Sequence, residues 1–440
     1  MAWYGTSGYG SGWLANKRGG GMSASRERVI KALNHKEPDR VPLDLGGTAV
    51  TGISASALTR LREGLGLEGG PVKVHEPFQM LGMVTDDVRR ALGVDVVGLD
   101  GEGTFFGFSA RDWKPFTLFD GTPVLVPGGF NTELNPDGSL YQYPLGDKRY
   151  APSGRMPAGG FYHDAIERQE PFEPEGLDPE AWVADMAHVL TDEELRTLEE
   201  RVRELYVNTP YAIITSLPGA SLGDIAMVPA THAPHPKGIR TVEDWYMAAA
   251  LYPAFFRQAL QLQCEIAMEN LPLLQQAVGD RIVALFVSGT DFGAQHGAFI
   301  SPKMYREVYM PLHKRINDWV HAHTPWKTFY HSCGSMVALY DAFVEAGVDI
   351  VNPVQISAVG MDPHELKQRW GDKLVFWGGG IDTQGVLPFG TPEEVAAQVA
   401  ELIEIWRPGG GFVFNTVHNV QAGTPQENLL AMYAAFERAR

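Results

Sequence analysis

The segment IVALFVSGTDFG, residues 282–293, decides the fold, because a nearly continuous apolar run ends there in a polar turn. Such a run predicts a parallel strand that is covered on both faces. Eight strand–helix units in total predict an α/β chain folded as a (β/α)8 TIM barrel. A doubly wound open sheet is the alternative, and it is disfavoured because no phosphate-binding glycine pattern follows the first strand. The other seven segments, which alternate with helical patterns, are VPLDLGG (41–47), VDVVGLDG (94–101), YAIITSLPG (211–219), KTFYHSCGS (327–335), VDIVNPVQ (348–355), LVFWGGGID (374–382) and GFVFNTVHN (411–419).

One region interrupts this alternation. Residues 105–165 contain the stretches FTLFDGTPVLV (116–126) and GSLYQYP (138–144). An Asp-Gly pair lies within the first stretch, and a second pair lies at the start of the other. These pairs predict the turns of antiparallel hairpins. We therefore expect a β-hairpin excursion between strands 2 and 3, either over the barrel mouth or at its periphery. Residues 22–440 are expected to form one domain. Residues 1–21 contain seven glycines and no apolar signal core, so we interpret them as a disordered or non-native N-terminal extension.

The composition excludes several classes of protein. The chain of 440 residues has 36 Lys plus Arg against 53 Asp plus Glu, which gives a net charge of −17 at pH 7. So acidic a protein is a poor partner for nucleic acid or for an anionic membrane, and no apolar run is long enough to span a bilayer. The two cysteines, Cys264 and Cys333, exclude a disulfide framework and favour a cytoplasmic location.

A metal site is predicted at the carboxyl ends of the strands, where a barrel of this kind carries its chemistry. His331 and Cys333 are two residues apart at the end of the fifth strand, so their side chains point to one face. His418 ends the eighth strand. A thiolate with two imidazoles and one open position is the ligand pattern of a catalytic Zn²⁺ site. The alternative is a small buried cysteine beside two hydrogen-bonded histidines.

Other polar residues at the strand ends are candidates for catalysis or substrate binding. Asp291 and Asp100 follow the fourth and second strands, where a carboxylate can orient a ligand histidine or take up a proton. The alternative for each is an Asp that caps a turn. Aromatic residues at strand ends would suit an aromatic or apolar substrate, although core packing explains them equally well. The candidates for substrate contacts are Tyr330, Gln355, Trp377 and Asn415.

Longer motifs link these segments. They read RERVIKALNHKEPDRVP (26–42), GTDFGAQHGAFISPKMYREVYMPLHKRI (289–316), HSCGS (331–335), FWGGGIDTQGVLPFGTPEEV (376–395) and FNTVHNVQAGTPQENLLAMYAAF (414–436). On these motifs, from Arg26 to the end, the chain resembles the uroporphyrinogen decarboxylase superfamily, whose fold is a (β/α)8 barrel. It looks most like the branch that contains corrinoid-linked, zinc-dependent methyltransferases.

The resemblance has two departures. True uroporphyrinogen decarboxylases carry the loop R-Q-A-G-R after the first strand, whereas residues 43–48 here read LDLGGT. Without arginines, the carboxylates of a porphyrinogen would lack their bidentate partners. The methyltransferase branch uses H-x-C and a later Cys as zinc ligands. His331 and Cys333 match the first two, and His418 stands where the later Cys is expected.

The resemblance therefore implies a zinc-dependent methyltransferase that moves a methyl group between a small substrate, either a methoxy compound or a thiol, and a corrinoid. The D-x-H-x-x-G pattern of corrinoid-binding modules is absent from this sequence, so a separate corrinoid protein is the expected partner. Members of the family often form dimers, and a homodimer is compatible with this sequence. Two alternatives stay open: a metal-free decarboxylase or lyase that acts on a small carboxylate, and a non-catalytic protein that retains the barrel.

Overall fold

A computed structural model describes residues 22–99 and 101–440. The extension predicted over residues 1–21 and the candidate Asp100 lie outside these described residues.

The strands are short and concentrate in two regions, the barrel and the segment between residues 72 and 165. In chain order they are β1 Val72–Glu76, β2 Leu81–Gly82, β3 Val96–Gly98, β4 Lys114–Thr117, β5 Pro123–Val126, β6 Glu133–Leu134, β7 Leu140–Gln142, β8 Gly154–Met156, β9 Asp164–Ala165, β10 Ala212–Ser216, β11 Ala284–Ser288, β12 Gly293–Ala294, β13 Gly297–Ala298, β14 Lys327–His331, β15 Ile350–Asn352, β16 Val375–Trp377 and β17 Phe412–Val413.

Helices separate the strands of the second half, as the sequence pattern predicts. In chain order they are α1 Ala24–Leu33, α2 Ala55–Gly64, α3 Asp86–Leu92, α4 Pro179–Ala184, α5 Asp192–Asn208, α6 Val242–Leu251, α7 Pro253–Val278, α8 Pro302–Met304, α9 Met310–His323, α10 Tyr340–Glu345, α11 Pro363–Trp370, α12 Val386–Phe389, α13 Pro392–Trp406 and α14 Gln426–Ala439, with a π-helical turn at Tyr305–Tyr309. Among the described residues, no helix has both the length and the apolar character needed to cross a membrane.

The central sheet is parallel and curled. Its seven strands follow the order β17-β16-β15-β14-β11-β10-β3, and each neighbouring pair is parallel. Each strand lies within one of the segments predicted from 94 onward, which confirms the α/β class and the parallel arrangement. Repeated strand–helix–strand units produce parallel neighbours, because each crossover returns the chain to the end of the sheet at which the previous strand began.

The first predicted strand, residues 41–47, differs from its prediction. It forms only a parallel bridge between Leu43 and Phe414. On its other side, the backbone N–H of Asp95 donates to the carbonyl of Leu43 at 2.8 Å. This segment therefore hydrogen-bonds to both edges of the seven-stranded sheet. Its strand pairing is short because Pro42 has no N–H to donate and Gly46, with φ of +80°, turns the chain away.

The region 105–165 consists of antiparallel pairs. β4 pairs with β5, and β5 also lies parallel to β1, so that these strands form a sheet of order β2-β1-β5-β4. The strands β6 to β9 form a second sheet in sequential order. A turn at Gly121, with φ of +83°, joins β4 to β5, at one of the Asp-Gly pairs in the sequence.

Alternation along the strands divides the core into two layers. One cluster gathers every second residue from the barrel strands, and it includes Ile214, Phe329, Val375 and Trp377. The other cluster contains the residues that point outward to the helices, such as Tyr330. Because side chains two apart point to the same face, the inward register of Phe329 continues to His331. The side chain of His331 is therefore expected to point into the barrel interior.

Candidate metal centre

Three of the candidate residues come together above the barrel core. One ligand atom from each of His331, Cys333 and His418 can be chosen so that all three lie within 4.8 Å of one another. His331 is the last residue of β14, Cys333 follows in the loop, and His418 lies in the loop after β17. Zinc bonds to nitrogen and sulfur measure about 2.0–2.3 Å, so one ion could contact all three atoms after a shift of about half an ångström.

A hydrogen bond sets the tautomer of His331. The Nδ2 atom of Asn352 donates to the carbonyl of Trp377 at 2.7 Å, which directs its Oδ1 atom toward the imidazole. That Oδ1 atom lies 2.5 Å from Nδ1 of His331 and so accepts its proton. The Nε2 atom keeps its lone pair and lies 3.3 Å from Sγ of Cys333. Burial lowers the pKa of His331 to about 4, so the ring is neutral, as a ligand must be.

The loop that carries Cys333 is held at its backbone. The N–H of Cys333 donates to Oδ1 of Asp291 at 2.6 Å, and the N–H of Gly334 donates to Oε1 of Gln355 at 2.8 Å. Gly334 has φ of +82°, and a Cβ atom there would lie 2.4 Å from the backbone carbon of Gly293. Burial and the nearby Asp291 raise the pKa of the Cys333 thiol well above its usual value. A bound cation would be needed to hold this sulfur as a thiolate.

His418 is less well prepared than His331 to bind a metal ion. Its φ is +65°, a conformation that few side chains adopt, and its ring lies 5.1 Å from that of His331 between centroids. Burial lowers its pKa to about 3, so it too is neutral. The N–H of Asn419 donates to Nδ1 of His418 at 2.7 Å. This contact occupies the Nδ1 lone pair, so ligation by His418 requires the hydrogen bond or the ring proton to rearrange.

Two carboxyl groups lie beside the three candidate ligands. Asp291 lies 4.0 Å from Nε2 of His331, measured from its Oδ1 atom. Asp224, in the long loop after β10, was not singled out from the sequence. Desolvation and the charge of Asp291 raise the pKa of Asp224 to about 8, and desolvation also raises the pKa of Asp291. Nothing in the local sequence around Asp224 distinguishes it from an Asp that caps a turn, because its proximity arises only from the fold.

A cavity of about 830 Å³ opens onto these residues. Its base contains Asp224, Asp291, His331 and His418, together with the inward-facing ends of β10 and β11. Phe78, in the turn between β1 and β2, forms part of its side. The region 105–165 contributes Phe105, Tyr162, His163, Asp164 and Ala165. The volume is in the range of small-molecule sites.

The four residues predicted to contact substrate do not line this cavity. Tyr330 points outward, where its hydroxyl donates to Oδ1 of Asn317 at 2.9 Å. Trp377 points inward but belongs to the barrel core, and its Nε1 donates to Oδ2 of Asp44 at 2.9 Å. The side chain of Tyr330 therefore points away from the barrel interior. The side chain of Trp377 points into the barrel but lies in its core and not at the cavity.

Gln355 and Asn415, the other two predicted substrate contacts, form hydrogen bonds with loops around the candidate metal centre. Gln355 accepts from Gly334, and its Nε2 donates to Oε1 of Gln295 at 2.9 Å. Asn415 is buried, and its Nδ2 donates to the carbonyls of Asp44 and Thr51 at 3.1 and 3.3 Å. These contacts position loops rather than reach the cavity.

Comparison with known proteins shows which protein family this chain is similar to. Residues 229–439, which include the three candidate ligands, match the family model "Uroporphyrinogen decarboxylase (URO-D)". This match covers just under half of the chain, and over it the chain is similar to that family. A similar curated protein is "Uroporphyrinogen decarboxylase" from Pseudoalteromonas translucida (strain TAC 125), which is 25% identical over an alignment 176 residues long that covers 36% of this chain. The match spans 46% of that protein, less than half of its length.

A solved structure shares the fold over nearly the whole chain. It is a "methyltransferase from Methanosarcina mazei", with a TM-score of 0.54 and 15% sequence identity. The superposition covers 95% of this chain and 99% of that one. At this identity the likeness establishes the fold alone.

Proposed function

We propose that this protein is a zinc-dependent methyltransferase. It moves a methyl group between a small substrate, either a methoxy compound or a thiol, and a corrinoid carried by a separate protein. The observation that carries the proposal is the convergence of His331, Cys333 and His418 within 4.8 Å at the base of a large cavity. Sulfur with imidazole nitrogen is a donor set that suits Zn²⁺, and three protein ligands leave one position for substrate.

The residues of the chain would have separate roles. His331 and Cys333 would hold the ion, and Asn352 would keep the Nε2 lone pair of His331 available. Asp291 would hold the Cys333 loop through its backbone N–H. The bound zinc supplies Lewis-acid activation of the atom that gains or loses the methyl group. The shared fold with a methyltransferase and the match of residues 229–439 to the family model support this proposal.

A decarboxylase or lyase that acts on a small carboxylate without metal is the second candidate. The pair Asp224 and Asp291 favours it, because two carboxyl groups of raised pKa can hold and move a proton. Against it, a carboxylate substrate would meet these two acids without an opposing Lys or Arg among the described residues that line the cavity. We therefore rank methyl transfer first.

Metal content tests the proposal directly. Purified protein should contain about one zinc per chain, and Cys333→Ala should lose most of it. Cys264→Ala is the matched control, because Cys264 is the other free cysteine and lies buried against the carbonyl of Leu312, away from the cavity. Zinc that is absent from the native protein, or that is unaffected by Cys333→Ala, contradicts the proposal.

Turnover is the second measurement. One assay follows methyl transfer from methoxybenzene to cob(I)alamin kept reduced by an added reductant, which takes up a proton and gives phenol and methylcobalamin. The other follows transfer from methylcobalamin to a simple thiol, which gives a thioether, cob(I)alamin and a proton. The absorbance of the free cobalamin reports both reactions. The reaction should require zinc and should fail in Cys333→Ala but not in Cys264→Ala. Carbon dioxide release that resists chelators would instead support the decarboxylase.

A further inference from the structure

A second cavity lies next to the metal-side cavity, the one that opens onto the candidate metal centre. The second cavity has a volume of about 740 Å³ and the metal-side cavity about 830 Å³, and each is in the size range of small-molecule sites. Three residues line both cavities: Ala49, Phe105 and Met227. These three residues therefore lie between the cavities and form a partition.

The partition joins three loops at the carboxyl ends of the barrel strands. Ala49 follows the first predicted strand, Phe105 follows β3, and Met227 lies in the long loop after β10. The carbonyl of Ala49 accepts from Nδ2 of Asn419 at 2.8 Å, and the carbonyl of Phe105 accepts from the hydroxyl of Thr231. Because hydrogen bonds from other loops hold these two backbones, the side chains of Phe105 and Met227 decide whether the cavities connect.

Phe105 supplies most of the bulk of the partition. Its ring packs against that of Phe78, with centroids 5.8 Å apart at 34°. Phe78 lines the metal-side cavity but not the second one. The side chain of Phe105 is half-buried, so its truncation to alanine opens space at a smaller cost in stability than truncation of a core residue.

Part of the second cavity is apolar. The apolar side chains that line it are those of Met83, Val84, Val97 and Leu205. Charged residues line it too, and two of them, Glu102 and Glu204, are exposed. An alkyl chain that passed the partition would meet this apolar surface, and each methylene buried there would raise the affinity.

We propose that Phe105 and Met227 determine the length of the molecule that the metal-side cavity encloses. In the native protein they close the route into the second cavity, so the far end of a longer molecule has to extend into solvent. Truncation of either side chain joins the two cavities into one site. Taking the metal-side cavity as the substrate site rests on the proposed function.

Three uncharged probes that differ only in their alkyl chain test this proposal by ligand-observed NMR on the full chain: methoxybenzene, 4-propylmethoxybenzene and 4-hexylmethoxybenzene. In the native protein the propyl and hexyl compounds should bind with affinities within about threefold of each other, because the additional methylenes stay in solvent. In Phe105→Ala the hexyl compound should bind at least about tenfold tighter than the propyl compound, because those methylenes become buried.

Further variants separate the partition from the rest of the wall. Met227→Ala opens the partition from its other side, and it should raise the preference for the hexyl compound even if Phe105→Ala fails to fold. Phe105→Met keeps a long side chain and should behave like the native protein. Phe299→Ala is the matched control, because Phe299 is also a partly exposed aromatic residue but lines neither cavity.

Several results would overturn the proposal. These are a native protein that already has the preference expected of Phe105→Ala, no gain in preference in either Phe105→Ala or Met227→Ala, an equal gain in Phe299→Ala, or no binding of any of the three probes. None of these measurements needs zinc, a corrinoid or turnover. If the proposed methyl transfer is wrong, zinc content and turnover fail while the dependence on chain length persists.

Discussion

The Nε2 atom of His331 lies 3.3 Å from the Sγ atom of Cys333. The two residues meet because β14 ends at His331 and the loop keeps the same inward direction for the residue two positions later. The lone pair of Nε2 faces the sulfur only because Asn352 accepts the proton on Nδ1. The Nε2–Sγ contact therefore depends on Asn352 and on the conformation of the loop that carries Cys333.

Loss of the Asn352 acceptor should weaken metal binding. Asn352→Ala leaves Nδ1 of His331 without its partner, so the ring can rotate or change tautomer. We expect zinc affinity to fall about 10- to 100-fold, as for other residues that orient a ligand histidine. Competition with a chromophoric chelator measures this. Asn352→Asp keeps the acceptor for Nδ1 of His331 but loses the donor to the carbonyl of Trp377, so it should retain more affinity than Asn352→Ala. Equal loss in both variants would contradict this role.

The close approach of Gly334 to Gly293 should be necessary for the position of Cys333. Gly334→Ala places a methyl group 2.4 Å from the backbone of Gly293, at a φ of +82°. Gly121→Ala is the matched control, because Gly121 has φ of +83° but no atom within 4 Å of the added Cβ.

The two alanine variants should therefore differ. Gly121→Ala should lower the free energy of unfolding by about 1 kcal/mol, the cost of alanine in the left-handed region, and should leave zinc binding intact. Gly334→Ala should lose more stability and should also weaken zinc binding. Urea denaturation and chelator competition measure both quantities. Equal effects of the two substitutions would mean that the contact with Gly293 does not matter.

His418 should contribute less to metal affinity than His331. The Nδ1 atom of His418 already accepts from Asn419 at 2.7 Å, so binding an ion requires a rearrangement that His331 does not need. We expect His418→Ala to lower zinc affinity by less than His331→Ala does. Measured in parallel at one pH, a greater loss in His418→Ala would show that the hydrogen bond to Asn419 gives way readily.

The buried His163 should make the fold sensitive to acid. It is almost fully buried, and desolvation lowers its pKa from 6.5 to about 4. The unfolded chain takes up a proton below pH 6.5 while the folded chain does not, so stability falls as pH drops from 6.5 toward 4. Between pH 7 and pH 5 this group alone should cost about 2 kcal/mol.

His163→Phe tests that assignment. Phe is compatible with the rings of Phe106 and Phe130, whose centroids lie 5.3 and 5.9 Å from the imidazole. The variant should be less stable at pH 7, because the contact with the carbonyl of Pro77 is lost, but it should lose less stability between pH 7 and pH 5. Urea denaturation at the two pH values gives the comparison. A pH dependence that matches the native protein would place the acid sensitivity elsewhere.

Alternation along the strands accounts for most of what was predictable. The apolar runs locate seven parallel strands, and the spacing of His331 and Cys333 places both on the inner face. The same rule, applied to Tyr330, assigns it to the outer face, where its hydroxyl meets Asn317. Strand-end position alone was too coarse a criterion, because it does not distinguish the two faces or the depth of Trp377 in the barrel core.

By itself, the sequence determined the α/β class, the positions of the strands and the pairing of an imidazole with a thiol at one strand end, because these follow from spacing along the chain. The position of His418 at the end of the eighth strand also made it a candidate ligand, and the structure brings it within 4.8 Å of the other two. Only the tertiary structure decided that Asp224 faces the same cavity and that Phe78 and Phe105 form part of its wall. Those residues are far apart in sequence and lie in loops without a regular period. Their proximity depends on how the sheet curls and how the inserted strands pack, which local patterns do not encode.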